Sequence, residues 1–358
     1  MSPARELIGG VIMAVMTNDM RLLRADQMDD AVTQVAVSLS ATLGRGTLGV
    51  AEHRARTNRR CTMNRKRVIL LTIALVALAL LLGVMLFSQK DGFAGRSPAA
   101  SPPNPQPEGR SLVWSDEFDG PAGSPPNPDY WTNEVGGGGW GNEELQFYTE
   151  GAANAALDGA GNLVLTARPL DPLSAVQTCW YGPCSFTSAR LISANKVTLE
   201  FGRVEARIQV PGAGGVWPAF WMLGANLSDV GWPQSGEIDV MEFVGNSPTQ
   251  IIGTIHGPGY SGAGSFGGIL DLGSPIADQW HKVAVEWSPG RIAWEVDGTV
   301  YHGAVPADVA PNAWVFDHPF FLVVNLAVGG NLGGDVSDDL RQPQEYRLDY
   351  IRAYELSG

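Results

Sequence analysis

The stretch Val197–Val210, VTLEFGRVEARIQV, alternates apolar and polar residues on either side of Gly202. A period of two is the signature of a half-buried β-strand, whose successive side chains point to opposite faces. The pattern returns downstream. His281–Trp287 and Ile292–Val296 bracket Ser288-Pro289-Gly290 as a hairpin turn, Asp297-Gly298 leads into Thr299-Val300-Tyr301, and Tyr346–Tyr354 (YRLDYIRAY) alternates again. No long segment with a 3.6-residue apolar period interrupts this, and no internal repeat points to a propeller. Many short strands with Gly/Pro turns over about 250 residues predict one all-β sandwich, a β-jelly roll.

Charge divides the chain. The 358 residues carry 24 Lys+Arg against 37 Asp+Glu, a net charge of −13, with 11 Trp and 3 Cys. Residues 1–110 hold 14 basic and 8 acidic residues (+6), residues 111–358 hold 10 and 29 (−19), and every Trp lies in the second part. That acidity excludes nucleic acid as a partner and disfavours anionic substrates. Three cysteines cannot supply a disulfide framework, so a hydrophobic core must hold the domain. A monomer is expected.

Val68–Phe87 is an apolar run of 20 residues interrupted only by Thr72 and preceded by Arg59, Arg60, Arg65, Lys66 and Arg67. At ~1.5 Å per residue a helix of this length spans ~30 Å, the bilayer core, and its basic flank belongs in the cytoplasm. The expected organisation is a leader at 1–62, a signal anchor or transmembrane helix at 63–88, a Pro/Ser-rich linker at 89–110, and the working domain at 111–358. The linker reads as a semi-extended spacer. The domain is then expected outside the cell, held at the cell membrane, or secreted if the helix is a cleaved signal. Met63, which opens a charged-then-apolar export signal, is a candidate true start. Cys179 and Cys184 enclose the turn-prone Trp180-Tyr181-Gly182-Pro183 and are expected to form a local disulfide in an exported domain.

The chemistry concentrates in Gly236–Gly245, GEIDVMEFVG, where three carboxylates interrupt an apolar, β-prone segment. Glu237 and Asp239 share a strand face and by themselves read as the solvated acidic face of a strand. Glu242, five positions after Glu237, would point into the core of a regular strand, where an unpaired carboxylate is costly. One extra residue in a β-bulge at Val240-Met241 restores the parity and puts all three on one face. Glu237 and Glu242 are then four strand positions apart, about 13 Å between Cα atoms, and ~5 Å between carboxyls once each side chain leans toward the other. That separation suits a retaining glycosidase, in which one carboxylate attacks the anomeric carbon and the other protonates the leaving oxygen. Asp239 between them would hydrogen-bond the nucleophile and help keep the acid protonated. Trp217, Trp221 and Trp232 flank this strand in sequence. A single Trp in a β domain is usually core, but three around an acidic strand suit stacking on the C–H faces of a neutral polysaccharide.

The run Trp232–Glu242 (WPQSGEIDVME) resembles the signature of glycoside hydrolase family 16 in its bulged E-x-D-x-x-E form. The likeness extends to WSDEFDG at 114–120, GWGNEELQFY at 139–148, TSARL at 187–191, GTIHGPGY at 253–260 and NLAVGGN at 325–331. This set is similar to the laminarinase-like branch, endo-acting on β-1,3-glucans. The resemblance implies a concanavalin A-like sandwich, with Glu237 as nucleophile, Asp239 as its assisting carboxylate and Glu242 as general acid/base. It also implies Trp217, Trp221 and Trp232 lining the cleft, Asn142 and Arg190 as hydrogen-bond donors to sugar hydroxyls, and His256 and Asn325 as cleft residues. For His256 a structural hydrogen-bonding role, and for Asn325 a turn-forming role, are the alternatives. No cofactor is required for catalysis. Some members bind a structural Ca²⁺, for which Glu117 and Asp349 sit at comparable positions; a surface pair is the alternative. Ala189 stands where members commonly have Gly, and Leu332-Gly333-Gly334 replaces an aromatic-Pro continuation, which bears on the glucan preferred. Glucan binding without catalysis, and transglycosylation that remodels glycan, are the competing functions; a pure binder has no need of both Glu237 and Glu242.

Overall fold

A computed structural model of the chain describes residues 110–356, apart from 172 and 174. The principal strands, numbered here in chain order, are β1 (Leu163–Pro169), β2 (Arg190–Ile192), β3 (Gly202–Gln209), β4 (Val216–Gly224), β5 (Glu237–Phe243), β6 (Gln250–His256), β7 (Phe266–Asp271), β8 (Trp280–Ser288), β9 (Arg291–Val296), β10 (Thr299–Ala304), β11 (Phe320–Val328) and β12 (Gln344–Tyr354). They form two sheets. One runs β7-β6-β5-β4-β11-β2 and ends on the short strand Thr132–Asn133; the other runs β10-β9-β8-β3-β12-β1 and continues through Phe186–Ser188 to Gln146–Tyr148.

The two hairpins form where the turn residues require them. Ser288 pairs with Arg291 across Pro289-Gly290, and Val296 pairs with Thr299 across Asp297-Gly298. Asp297 and Gly298 both have positive φ, 50° and 83°, as a two-residue turn matching the strand twist demands. The stretch at 197–210 is not one strand. Thr198 and Leu199 pair with β11 in the first sheet, and from Gly202 the chain belongs to the second sheet, between β8 and β12. Gly202 makes the crossing possible: its φ is 116°, and a Cβ there would lie 2.4 Å from the Tyr354 carbonyl oxygen. Glycine alone tolerates both conditions.

The inner faces of the sheets bury one continuous core. Val204, Ala206 and Ile208 of β3, Val283, Val285 and Trp287 of β8, and Ile292, Trp294 and Val296 of β9 meet Phe220 and Met222 of β4 and Phe320, Leu322, Val324 and Leu326 of β11. The opposite faces of β4, β5, β6 and β11 carry the polar and aromatic residues discussed below.

The expected membrane helix, with the membrane partner and cell-membrane location attached to it, is corrected. Residues 63–88, like the leader and nearly all of the linker, lie outside the described residues. Among the described residues no helix is long and apolar enough to cross a membrane. The α-helices there are single turns such as Leu227–Val230 and Pro306–Val309, against about 20 apolar residues for a span. The described architecture is the β-sandwich alone.

Candidate active site

β5 carries the bulge. Trp221 pairs with Asp239 and Phe220 with Met241 on the β4 side, while Asp239 pairs with Thr254 and Glu242 with Ile252 on the β6 side. The six residues from Glu237 to Glu242 thus face Leu223 back to Ala219 on one neighbour and His256 back to Ile252 on the other, five positions each. The extra residue shows in burial: Val240 and Met241, consecutive in sequence, both lie in the core. Alternation resumes with Glu242 on the face already occupied by Glu237 and Asp239. The bulge therefore turns an i, i+5 spacing, which a flat strand would split between faces, into one row of three carboxylates.

Each carboxylate has its own donor. Trp232 Nε1–H donates to Glu237 Oε2 at 3.0 Å, and Trp217 Nε1–H donates to Glu242 Oε1 at 3.0 Å. The Thr254 hydroxyl donates to Asp239 Oδ2, and His256 Nε2 lies 3.1 Å from the same oxygen and 3.6 Å from Glu237 Oε1. Burial, reinforced by the charge of Asp239, holds the carboxyls of Glu237 and Glu242 above the usual carboxylate range; His256 and the two indole N–H groups oppose it. Three carboxylates in one partly dehydrated row cannot all ionise, so the row keeps a proton near neutral pH.

Burial alone would lower the His256 pKa, but the hydrogen bond to Asp239 and the charges of Asp239, Glu237 and Glu242 outweigh it and push it up to about 9. On the other side of the ring the Gly262 N–H donates to Nδ1 at 3.0 Å. That bond needs the Nδ1 lone pair, so it opposes a second proton and fixes the first on Nε2, facing the carboxylates. Glu237, Asp239 and His256 also present donor atoms within 4.8 Å of one another, a set in reach of a single metal ion.

Toward β2 the row continues into a polar and aromatic wall. Trp217 and Trp221 share the cleft face of β4. Trp221 Nε1–H donates to Asn325 Oδ1 at 2.7 Å, and Asn325 Nδ2–H donates to the Tyr148 hydroxyl at 3.1 Å. Asn325 lies within β11, paired with Ala219 and Arg190, and is not at a strand end. The Arg190 guanidinium sits 4.8 Å from the ring centroids of both Trp140 and Trp221, with its Nε donating to Glu134. Asn142 is close by in sequence rather than in the row: its Nδ2–H donates to Glu144 Oε1 at 3.2 Å.

Glu144 was not singled out by residue chemistry. It is buried and accepts from Gln146 and Tyr148 as well as Asn142. Burial raises its carboxyl above the ordinary range against those bonds and the charge of Arg190. Tyr148 OH donates to Glu144 Oε2 at 2.9 Å, so an unbroken chain of donors runs from the Trp221 indole through Asn325 and Tyr148 to this carboxylate. Its only signal in sequence is an acid just ahead of the short strand Gln146–Tyr148. Trp140, Glu134 and Thr254 were likewise not anticipated as site residues.

The calcium pair does not fit a metal. Glu117 is held by both Arg352 Nε and Nη2, at 2.8 and 2.7 Å, and Asp349 by Arg207 Nη1 at 2.7 Å. Each carboxylate already has an arginine cation as its counter-charge, and a Ca²⁺ would have to displace both. Cys179 and Cys184 are bonded to each other, with Cα atoms 5.0 Å apart, and close the turn that carries Trp180.

Comparison with known proteins agrees with this geometry. The profile of glycosyl hydrolases family 16 matches residues 142–352. A beta-glucanase of Rhodothermus marinus is 39% identical over 253 residues, covering 68% of this chain and 84% of its own. A glucan endo-1,3-beta-glucosidase of Cryptopygus antarcticus is 37% identical over 263 residues, covering 68% and 91%. Among solved structures, the catalytic domain of an endo-1,3-beta-glucanase (laminarinase) from Thermotoga petrophila superposes with a TM-score of 0.64 at 41% identity, covering 70% of this chain and 99% of that one. The family match spans the bulged strand and the principal strands of both sheets, and the chain belongs to glycosyl hydrolases family 16.

Proposed function

We propose that this chain is a retaining endo-β-1,3-glucanase acting on laminarin-like polysaccharide, with residues 111–358 as its catalytic domain. The observation that carries the reading is the β5 bulge, which sets Glu237 and Glu242 four strand steps apart on one face, about 13 Å between Cα atoms. Side chains leaning together from that spacing leave about 5 Å between carboxyls, room for direct attack on a sugar and too little for an intervening water.

Glu237 is the nucleophile. Its lone pair attacks the anomeric carbon while Glu242 gives its proton to the leaving glycosidic oxygen, so the C–O bond to the departing sugar breaks as the bond to Glu237 forms. Water then attacks the same carbon, Glu242 takes its proton, and Glu237 is released. The raised Glu242 carboxyl is suited to the first step because it keeps a transferable proton near neutral pH. Asp239 holds His256 Nε2–H beside Glu237, so an N–H donor is at hand as the nucleophile regains its charge. Trp217, Trp221 and Trp232 present ring faces to the sugar while their N–H groups hold Glu242, Asn325 and Glu237, and Arg190 and Asn325 stiffen the wall that receives the non-departing side. Asn142, anchored by one amide N–H on Glu144, would offer the other to a sugar hydroxyl. The −19 domain favours a neutral glucan over an anionic one.

The test is Glu237→Gln assayed against laminarin, mixed-linkage glucan and a galactan. Wild type should release reducing sugar chiefly from laminarin with retention at the anomeric carbon. The variant should lose at least about 10³-fold in kcat while binding laminarin as before. Preserved turnover in the variant would remove Glu237 from the role, and products longer than the donor's fragments would make the acceptor a sugar in place of water.

A further inference from the structure

We propose that Trp294, which belongs to the sheet without the carboxylates, is the positioning residue that holds the β5 bulge and thereby sets the spacing of Glu237 and Glu242. The inference rests on the hydrolase reading above, and it assigns to the core a part in catalysis that the cleft residues do not show.

Trp294 is fully buried. With Ile292 and Val296 it forms the inward face of β9, while Glu295 on the other face pairs with Arg203. Its indole crosses the sandwich, and Nε1–H donates to the backbone carbonyl of Asp239 at 2.7 Å. Asp239 is the last residue in register before the bulge on the β6 side; pairing resumes only at Glu242. A bulge interrupts the ladder, and a main-chain carbonyl released into a dry core needs a new donor. Trp294 supplies it. Asp239 is consequently held from two sides: its carboxylate by Thr254 and His256 in the cleft, its carbonyl by Trp294 from the core.

The floor around the indole is cut to fit. A Cβ on Gly253, the neighbour of Thr254 in β6, would lie 2.3 Å from Trp294 Cδ1, 2.6 Å from its Nε1 and 2.5 Å from the Tyr301 hydroxyl. Gly253 is not among the residues with positive φ, so the backbone does not require glycine there. What requires it is room for the indole. The His302 ring packs 5.5 Å from the Trp294 ring and closes that side of the pocket. Trp294 touches neither sugar nor reacting atom. It acts through the backbone of Asp239.

Trp294→Phe keeps an aromatic ring and removes only the donor. The control is Trp287→Phe: Trp287 is equally buried in the adjacent strand and donates its Nε1–H at 2.9 Å to the Phe316 carbonyl, away from the carboxylate row. With laminarin, Trp294→Phe should lower kcat roughly 10- to 100-fold with KM within about twofold, because small displacements of reacting groups act on the chemical step. Amide hydrogen exchange at Val240, Met241 and Glu242 should quicken. Trp287→Phe should lose thermal stability while keeping its kcat and its exchange at those amides. Gly253→Ala, which displaces the indole without removing it, should reproduce the kcat loss and serves if Trp294→Phe folds poorly. Equal kcat losses in both Trp variants, or unaltered exchange at 240–242 in Trp294→Phe and Gly253→Ala, would overturn the proposal. Should wild type fail to cleave any glucan, the hydrolase reading falls, and the exchange data still decide whether Trp294 holds the bulge.

Discussion

Replacing Trp217 or Trp232 with phenylalanine should move opposite limbs of the pH–rate profile. Trp217 donates to Glu242 and Trp232 to Glu237, each at 3.0 Å. A donor to the charged form of a carboxyl favours ionisation, so removing it raises the pKa. For the general acid, a higher pKa keeps the required proton to higher pH, and the alkaline limb of kcat/KM moves up. For the nucleophile, a higher pKa delays the required ionisation, and the acid limb moves up. A hydrogen bond to a charged group contributes about 1.5–3 kcal/mol, and 1.36 kcal/mol corresponds to one pKa unit, so full loss is worth ~1–2 units. Trp217 is partly buried and its loss should approach one unit. Trp232 is 47% exposed, water replaces much of the lost bond, and about half a unit is expected. The assay is kcat/KM against pH at laminarin concentrations far below KM. There the limbs report the free enzyme, and weaker sugar stacking scales the curve without moving its inflections. If Trp217→Phe moves the acid limb and Trp232→Phe the alkaline one, the roles of Glu237 and Glu242 are interchanged. If neither limb moves, the indole bonds are not coupled to ionisation and the electrostatic account of the row is wrong.

Glu242→Ala should lower the rate on laminarin by about 10²–10⁴-fold, less on substrates with a good leaving group, and azide should restore activity with a β-glycosyl azide product; an α-product would refute retention. Because Glu117 and Asp349 are neutralised by Arg352 and Arg207, melting temperatures after chelator treatment and with added Ca²⁺ should agree within about 1 °C, and a rise of several degrees with Ca²⁺ would show that the ion pairs yield to metal.

Parity explains how much of the site could be read in advance. Glu242 in an apolar strand at an odd offset from Glu237 has two possible fates, burial without a partner or a bulge, and only the second is affordable in free energy. The hairpins at Pro289-Gly290 and Asp297-Gly298 were legible for a similar reason: few residues accept those dihedrals. The change of sheet within Val197–Val210 was not, because alternation continues across it and only the Tyr354 carbonyl, distant in sequence, reveals why Gly202 is needed. Glu144 was hidden too. A lone acid beside a short strand looks like surface until Tyr148, Asn325 and Trp221 arrive from separate strands to make it the end of a hydrogen-bonded chain. Between a calcium pair and a surface pair at Glu117 and Asp349 the sequence could not choose, because position in sequence does not disclose which arginine a carboxylate will meet across a strand.

The sequence by itself determined the all-β class, the bulged acidic strand and the family to which the chain belongs, since these rest on local periodicity, turn chemistry and the spacing of residues within one segment. Only the tertiary structure decided which partners those residues have: the Gly262 amide that fixes the His256 proton, the tryptophan pair that clasps Arg190, and the indole of Trp294 that reaches Asp239 through the core. The first is made by the loop that follows β6, the second by segments that are distant in sequence, and the third exists only once two sheets have closed on one another, so none of them is written in the local periodicity of a single segment.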